Sequence, residues 1–221
     1  MERVVNSLKN IKGHCQLTPE LSDISIGLLL GDVSLQTQNN GKTYRIKFEY
    51  GNKNFEYAKH LYEKLAPWIL SPPRAQDRVN TNGVTVRTWC FQTISHSAFL
   101  PLASIFLDQN RKKHIIPCLV EDYLTAQGLA YWYMDDGGRA DYGNRTQKGM
   151  SLHTHGFKEH EVVLLCDGLK KKFDLQCWPK RNKKKFMIVI SGHSYETVIS
   201  LIGNSLIPSM KHKLPLPRKL R

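Results

Sequence analysis

The sequence predicts an α+β fold built from two repeated halves, on three observations. Two apolar segments each close on an acid: Ser25-Ile26-Gly27-Leu28-Leu29-Leu30-Gly31-Asp32-Val33 and Leu129-Ala130-Tyr131-Trp132-Tyr133-Met134-Asp135-Asp136-Gly137. After each acid the pattern runs in the same order: strand, helix, hairpin, helix. A basic segment near proline then ends each half, and Lys113 and Lys213 stand nearly as far apart as the two acids do. The expected division is an arm over 1–17, a first half over 18–120, and a second half over 121–221 with a basic C-terminal tail.

In chain order, residues 1–17 read as a loose arm. Thr18-Pro19-Glu20 opens a helix, with a hydroxyl at the cap and proline in the first turn. After Asp32, Tyr44, Ile46, Phe48 and Tyr50 alternate with Arg45, Lys47 and Glu49, which predicts a half-buried strand with a charged outer face. Residues 52–70 read as an amphipathic helix through Phe55, Ala58, Leu61, Tyr62 and Leu65, ended by Pro67 or by Ser71-Pro72-Pro73. Residues 74–91 form a hairpin split by Asn82-Gly83. A helix over 97–107 leads into Arg111-Lys112-Lys113-His114.

The second half repeats this order. A polar loop spans 139–148, and 150–155 is a short alternating strand. Residues 158–173 are a helix with Val162, Val163, Leu165, Leu169 and Phe173 on its apolar side. A hairpin over 176–191 carries Lys180, Arg181, Lys183, Lys184 and Lys185 across its tip, and a last helix spans 194–202.

Composition narrows the class of function. The chain has 32 basic and 19 acidic residues, a net charge of +13, which favours a polyanionic partner and nucleic acid first. The apolar run from Ile24 to Leu30 is far short of a membrane span. Cys15, Cys90, Cys118, Cys166 and Cys177 are odd in number with no close pairing, so reduced thiols are expected rather than a disulfide framework or zinc knuckle. The N-terminal residues match neither a secretory signal nor a convincing transit peptide.

The chemistry starts from an electrostatic misfit. A helix C-terminus carries partial negative charge, so Asp136 in a last turn calls for a cation nearby, and a divalent metal is the economical one. Gly27 and Gly31 in one segment, and Ala126 and Ala130 in the other, place small residues four apart. Two such faces packed side by side bring both acids out together. Asp32 and Asp136 would then ligate metal through their side chains, and Gly31 and Asp135 through helix-end carbonyls that lack intrahelical partners. The Asp135 side chain itself is expected at the surface, because adjacent helix positions point about 100° apart. An oxygen set of this kind suits Mg2+.

A single carboxylate before glycine is ordinarily a cap or turn residue; two in parallel contexts weaken that explanation. His153 and His155 have no third ligand in sequence, so base contact or exposure fits them better than a metal. His160-Glu161 lacks the second histidine of a zincin helix, and no Walker loop, dinucleotide fingerprint or serine elbow occurs.

The two acid-ended segments, together with the stretch from Ile207-Pro208 to Lys213-Leu214-Pro215, resemble the doubled motif of single-chain LAGLIDADG homing endonucleases of organellar group I introns. The second copy is the closer match. Leu30 and Met134 stand where the family's name-giving acid stands, a position in the helix interface rather than at the metal. The resemblance implies two pseudo-twofold-related αββαββα halves, with a central pair of motif helices and a saddle of antiparallel strands. It implies Asp32 and Asp136 as metal-binding catalytic acids, one per DNA strand, with two or more Mg2+ ions for which Mn2+ substitutes.

By the family pattern, Lys113 and Lys213 are the catalytic lysines, with Lys112 and Lys211 as alternatives, and Gln92 and Ser191 are supporting residues near the hairpin ends. Strand faces would read the duplex, since a two-stranded ribbon fits the major groove. The candidates are Lys42, Arg45, Lys47, Arg74, Arg78 and Arg87, then His153, His155, Lys180, Arg181, Lys183, Lys184 and Lys185. The tail adds Lys211, Arg218, Lys219 and Arg221. The implied activity is a sequence-specific double-strand break at an intron-insertion site, leaving short 3′ overhangs. The implied partner is a long, pseudo-asymmetric DNA duplex bound by a monomer with no membrane, in an organelle, the mitochondrion ahead of the chloroplast. The alternative is a non-catalytic RNA-binding maturase, which would not need both acids and both lysines.

Overall fold

The computed structural model describes residues 16–79, 82–140 and 149–215. The expected arm up to residue 15, loop residues 141–148 and the tail cations Arg218, Lys219 and Arg221 lie outside the described residues. Contacts group the chain into two compact units, Val33–Ala103 with the start of the first helix, and Asp23–Asp32 with everything from Ser104 onward.

Helix α1, Pro19–Leu30, opens where Thr18 Oγ1 accepts the Leu21 N–H at 3.2 Å, the cap that the sequence predicts. In the first unit, strands β1 (Ser34–Gln36), β2 (Arg45–Gly51), β3 (Arg74–Val79) and β4 (Thr85–Gln92) form an antiparallel sheet in the order β1-β2-β4-β3. Along β2, burial alternates residue by residue as the sequence requires. The inner face stacks Phe48 on Phe91 at 4.4 Å, and helix α2, Phe55–Lys64, covers it through Tyr57 and Tyr62. That helix is shorter than the 52–70 expectation. Pro67 closes it into a 3-10 turn, Ala66–Trp68, because proline cannot continue the hydrogen-bond ladder. Gly83 takes φ +76° in the hairpin turn, as the Asn-Gly pair predicts. Helix α3, Leu100–Phe106, follows.

The second unit repeats the sheet. Helix α4, Leu119–Tyr123, precedes α5, Ala126–Asp136, and Thr125 caps α5 by accepting the Gly128 N–H at 3.1 Å. Strands β5 (Gly137–Arg139), β6 (Met150–Leu152), β7 (Cys177–Asn182) and β8 (Lys185–Ile190) order as β5-β6-β8-β7, the topology of the first sheet. Helix α6, Glu159–Phe173, lies between β6 and β7, and α7, Tyr195–Ile202, follows β8. Val163 of α6 is 38 % exposed, so the apolar side expected there is narrower than predicted and runs through Val162, Leu165 and Leu169. Residue patterning missed β1, β5 and α4, which are three to five residues long, too short to show a period.

Within this second unit, the end of α1 crosses α5 at very short range. A Cβ built on Gly27 would lie 2.0 Å from the Gly128 carbonyl oxygen, and one on Gly128 would lie 2.9 Å from the Asp23 carbonyl. The close approach is therefore made at Gly128, between the Ala126 and Ala130 positions expected to make it. Glycine is required on both sides because backbone meets backbone there.

Gly27→Ala is expected to cost about 3 kcal/mol, the upper range for overpacking where only backbone can yield. Gly51, with open space around it and an extended backbone, is the control. Denaturant unfolding checks this; equal midpoints for the two alanine variants would refute the crossing as drawn.

Candidate active site

The crossing brings the two motif ends together. Asp136 is the last residue of α5, and Asp32 stands two residues beyond α1 and is exposed. Lys113, which leaves the chain at a one-pair bridge to Leu107, donates from Nζ to the Gly31 carbonyl at 3.0 Å. Lys213, in the 3-10 segment Pro208–Lys213, donates to the Asp135 carbonyl at 2.7 Å and also to the Met134 carbonyl. The lysines predicted by matched placement thus meet matched ends of the two helices. Each supplies a cation at the negative pole of a helix. The positive charge that the sequence calls for beside Asp136 is supplied first by these ammoniums.

The carboxyls remain under strain of charge. Burial, then the neighbouring Asp32, pushes Asp136 up to about 7, while Lys113 and Lys213 pull it down. Burial lowers Lys113, opposed by Asp136, Asp135 and Asp32. Trp132, fully buried one turn before Asp136, has an indole N–H with no partner at hydrogen-bonding geometry among the described residues. It still lies near enough to favour the Asp136 anion. Among the described residues no three His, Cys, Asp or Glu side chains converge, so a zinc-type cage is not formed. Two carboxylates, one of them pushed up to about 7 by burial and then by the other, fit a hard divalent cation, which would also take water and phosphate oxygens. The Gly31 and Asp135 carbonyls, expected as further metal ligands, accept from lysine here.

The expectation that Asp135 points to the surface is corrected. Its side chain is buried, 9 % exposed, and its Oδ2 accepts the Asp32 backbone N–H at 3.1 Å. The helix crossing covers that face of α5, which one helix read in isolation does not reveal.

On the second-unit sheet, His153 donates its backbone N–H to the Asp136 carbonyl at 2.9 Å. Burial, then His155 and Lys213, lowers the pKa of its imidazole, which places that ring beside the lysine. The His155 ring lies 5.4 Å away and contacts Asn182. Register puts Lys180 and Lys185 on the same sheet face as His153, together with the exposed Trp178. Arg181 alternates to the other face, its Nε donating to the Lys183 carbonyl at 3.1 Å, and Lys183 and Lys184 form the exposed turn. Ser191 caps the 3-10 turn ahead of α7, its Oγ accepting the His193 N–H at 3.2 Å.

On the first-unit sheet, Arg45, Lys47, Arg74 and Arg78 share the outer face. A cavity of about 540 Å³ opens there, lined by Arg45, Lys47, Arg74 and Gln92 among others. Arg45 reaches Gln36 at 3.3 Å, and Arg78 pairs with Glu49 at 2.7 Å. Lys42 is exposed in the β1–β2 connection. Arg87 departs from the expected set. It faces the inner side with Trp89 and Phe91, and its guanidinium is bound at both ends by Asp77 at 2.8 and 3.0 Å.

Asp136 has a folded pKa raised above the unfolded value, so its ionisation opposes folding as pH climbs from about 4 towards 7. With divalent ions chelated, Asp136→Asn is expected to raise the melting temperature at pH 8 and hardly at pH 4. An equal effect at both pH values would contradict the buried, mutually repelling pair.

Comparisons with known proteins identify the family. The family model of the LAGLIDADG DNA endonuclease family matches residues 22–198. A probable intron-encoded endonuclease 1 of Wickerhamomyces canadensis is 42% identical over 190 residues, covering 86% of this chain and 81% of that protein. A cytochrome b mRNA maturase bI2 of Debaryomyces hansenii is 26% identical over 203 residues, covering 90% and 74%. The solved structure of the homing endonuclease I-WcaI bound to its DNA recognition sequence superposes with a TM-score of 0.88 at 38% identity, over 95% of this chain and 92% of that one. With two acid-ended segments whose helices cross at glycine and a family model spanning most of its length, this chain belongs to the LAGLIDADG DNA endonuclease family.

Proposed function

We propose that this chain is an intron-encoded homing endonuclease that cuts both strands of a specific DNA duplex, with Asp32, Asp136, Lys113 and Lys213 as its catalytic residues. The observation that carries the reading is the convergence of both acids and both lysines on the C-terminal ends of two crossed helices. A pure binding protein has no use for mutually repelling carboxylates at that point. The named activities of the Wickerhamomyces protein and of I-WcaI, an endonuclease and a homing endonuclease bound to DNA, support it.

Asp32 and Asp136 would hold the divalent ions, Mg2+ by preference with Mn2+ substituting. Such ions, when bound, supply Lewis-acid stabilisation of phosphoryl charge and make water more acidic. Lys113 and Lys213 hold positive charge beside that point, where it offsets negative charge that develops as a phosphodiester is attacked. The lowered Lys113 pKa brings its ammonium nearer to the range in which it can yield a proton. Arg45, Lys47, Arg74 and Arg78 on one sheet, and His153, Lys180 and Lys185 on the other, would contact the duplex. Gln92, in the cavity of the first sheet, would support a base or phosphate contact.

The family's intron setting suggests an organellar host, and the cytochrome b mRNA maturase name of the Debaryomyces relative favours mitochondria ahead of chloroplasts. That relative's maturase name also supplies the second reading, help in splicing the host intron.

The deciding experiment selects cleaved sites from a random duplex library, with and without Mg2+. Cutting that needs the ion supports the nuclease; an uncut library, with faster splicing of the intron RNA, supports the maturase. Asp32→Asn and Asp136→Asn are each expected to slow cleavage by roughly three orders of magnitude, the several kcal/mol that metal ligation contributes, while largely preserving binding.

Duplex affinity should fall on the order of 10³-fold between about 50 and 200 mM salt, as counterion release predicts for six or more phosphate contacts. Arg74→Ala should weaken it and Arg87→Ala should not. A titration showing the two arginines equivalent would contradict the assignment of sheet faces.

A further inference from the structure

The two acids are not held alike. Asp136 is inside its helix, so the hydrogen-bond ladder of α5 fixes its backbone. Asp32 lies beyond the last turn of α1 and is exposed, so neither ladder nor burial sets its aim. The peptide unit joining Gly31 to Asp32 is instead gripped at both ends. Its carbonyl accepts from Lys113 Nζ at 3.0 Å, and its N–H donates to Asp135 Oδ2 at 3.1 Å. Asp135 comes from the other motif, one residue before the second acid.

The grip is built into the packing. Asp135 is 9 % exposed, and a Cβ on Gly31 would lie 2.4 Å from its Oδ2 and 2.5 Å from its Cβ. Glycine at 31 therefore makes the space that Asp135 fills. A buried carboxylate that accepts a backbone N–H forms a strong, directional bond, and dipole and charge reinforce each other on a short peptide.

We propose that Asp135 is a positioning residue for Asp32: the second motif orients the first acid through the 31–32 peptide, so Asp32, unlike Asp136, is not placed by its own helix alone. This rests on the nuclease reading for the role of Asp32, but the hydrogen bond itself does not. Because the link runs one way, the two acids differ in their dependence on it. Loss of Asp135 disturbs the backbone of Asp32, whereas the backbone of Asp136 stays in its helix.

The test compares Asp135→Ala with Asp135→Asn, which keeps the shape and an acceptor oxygen. In the metal-free protein, the Asp32 amide is read by 15N NMR hydrogen exchange. Exchange should quicken about 10- to 100-fold in the alanine variant, the fold-change of a hydrogen bond to a charged acceptor, and less in the asparagine variant. Single-turnover cleavage should slow about 10- to 100-fold in the alanine variant, with substantial rescue by asparagine. Affinity for uncut duplex should be unchanged, which a general loss of structure would not allow. An Asp32 amide that exchanges at the same rate in all three proteins would overturn the proposal, as would an asparagine variant as slow as alanine. If alanine prevents folding, the asparagine variant and the amide measurement still decide. If the unmodified protein fails to cut, the nuclease reading falls, and the amide exchange rates judge the link on their own.

Discussion

Backbone contact between Gly27 and Gly128 is the constraint on which the site depends. Two helices whose surfaces carry ordinary side chains pack with axes 8–10 Å apart. Here a Cβ on Gly27 has no room at all, so the end of α1 lies directly against α5. That proximity lets two acids on different helices repel each other, lets Asp135 reach across to the Asp32 amide, and allows Lys113 to sit within the field of three carboxylates. Widening the gap by one methyl group would loosen all of these together.

The electrostatics follow from that geometry. Two carboxylates at the negative ends of two helices are unfavourable on every count: dipole, burial and mutual repulsion. The fold answers partly from its own chain, by placing one lysine on the terminal carbonyls of each helix. The answer is incomplete, since burial and Asp32 still push Asp136 up to about 7. A site left short of positive charge, lined by oxygen and close to lysines, is suited to bind cations and then phosphate. The charge cluster therefore opposes folding, a cost that groups arranged for chemistry rather than for stability commonly carry.

The sheets divide the remaining cations by register. Strand alternation sends Arg45, Lys47, Arg74 and Arg78 to one face and Arg87 to the other, although in the sequence all five look alike. Lys180 and Arg181 separate in the same way. Trp178, exposed on the face of Lys180, was not singled out from the sequence, where a lone tryptophan in a strand looks like core. A basic count cannot distinguish these residues, because one step along a strand changes the face.

The sequence by itself determined the motif pair, the order of the longer elements, the Thr18 helix cap and the basic charge that favours a polyanionic partner. Each of these is written locally, in spacing, periodicity or charge, and survives without knowledge of what packs against it. Tertiary structure alone decided that Gly128 makes the crossing, that Asp135 is buried and bonded to Asp32, and that Arg87 pairs with Asp77 on the sheet face opposite Arg74 and Arg78. Each of those depends on a neighbour distant in sequence or on which face is covered, and a helix or strand read alone carries no record of its partner.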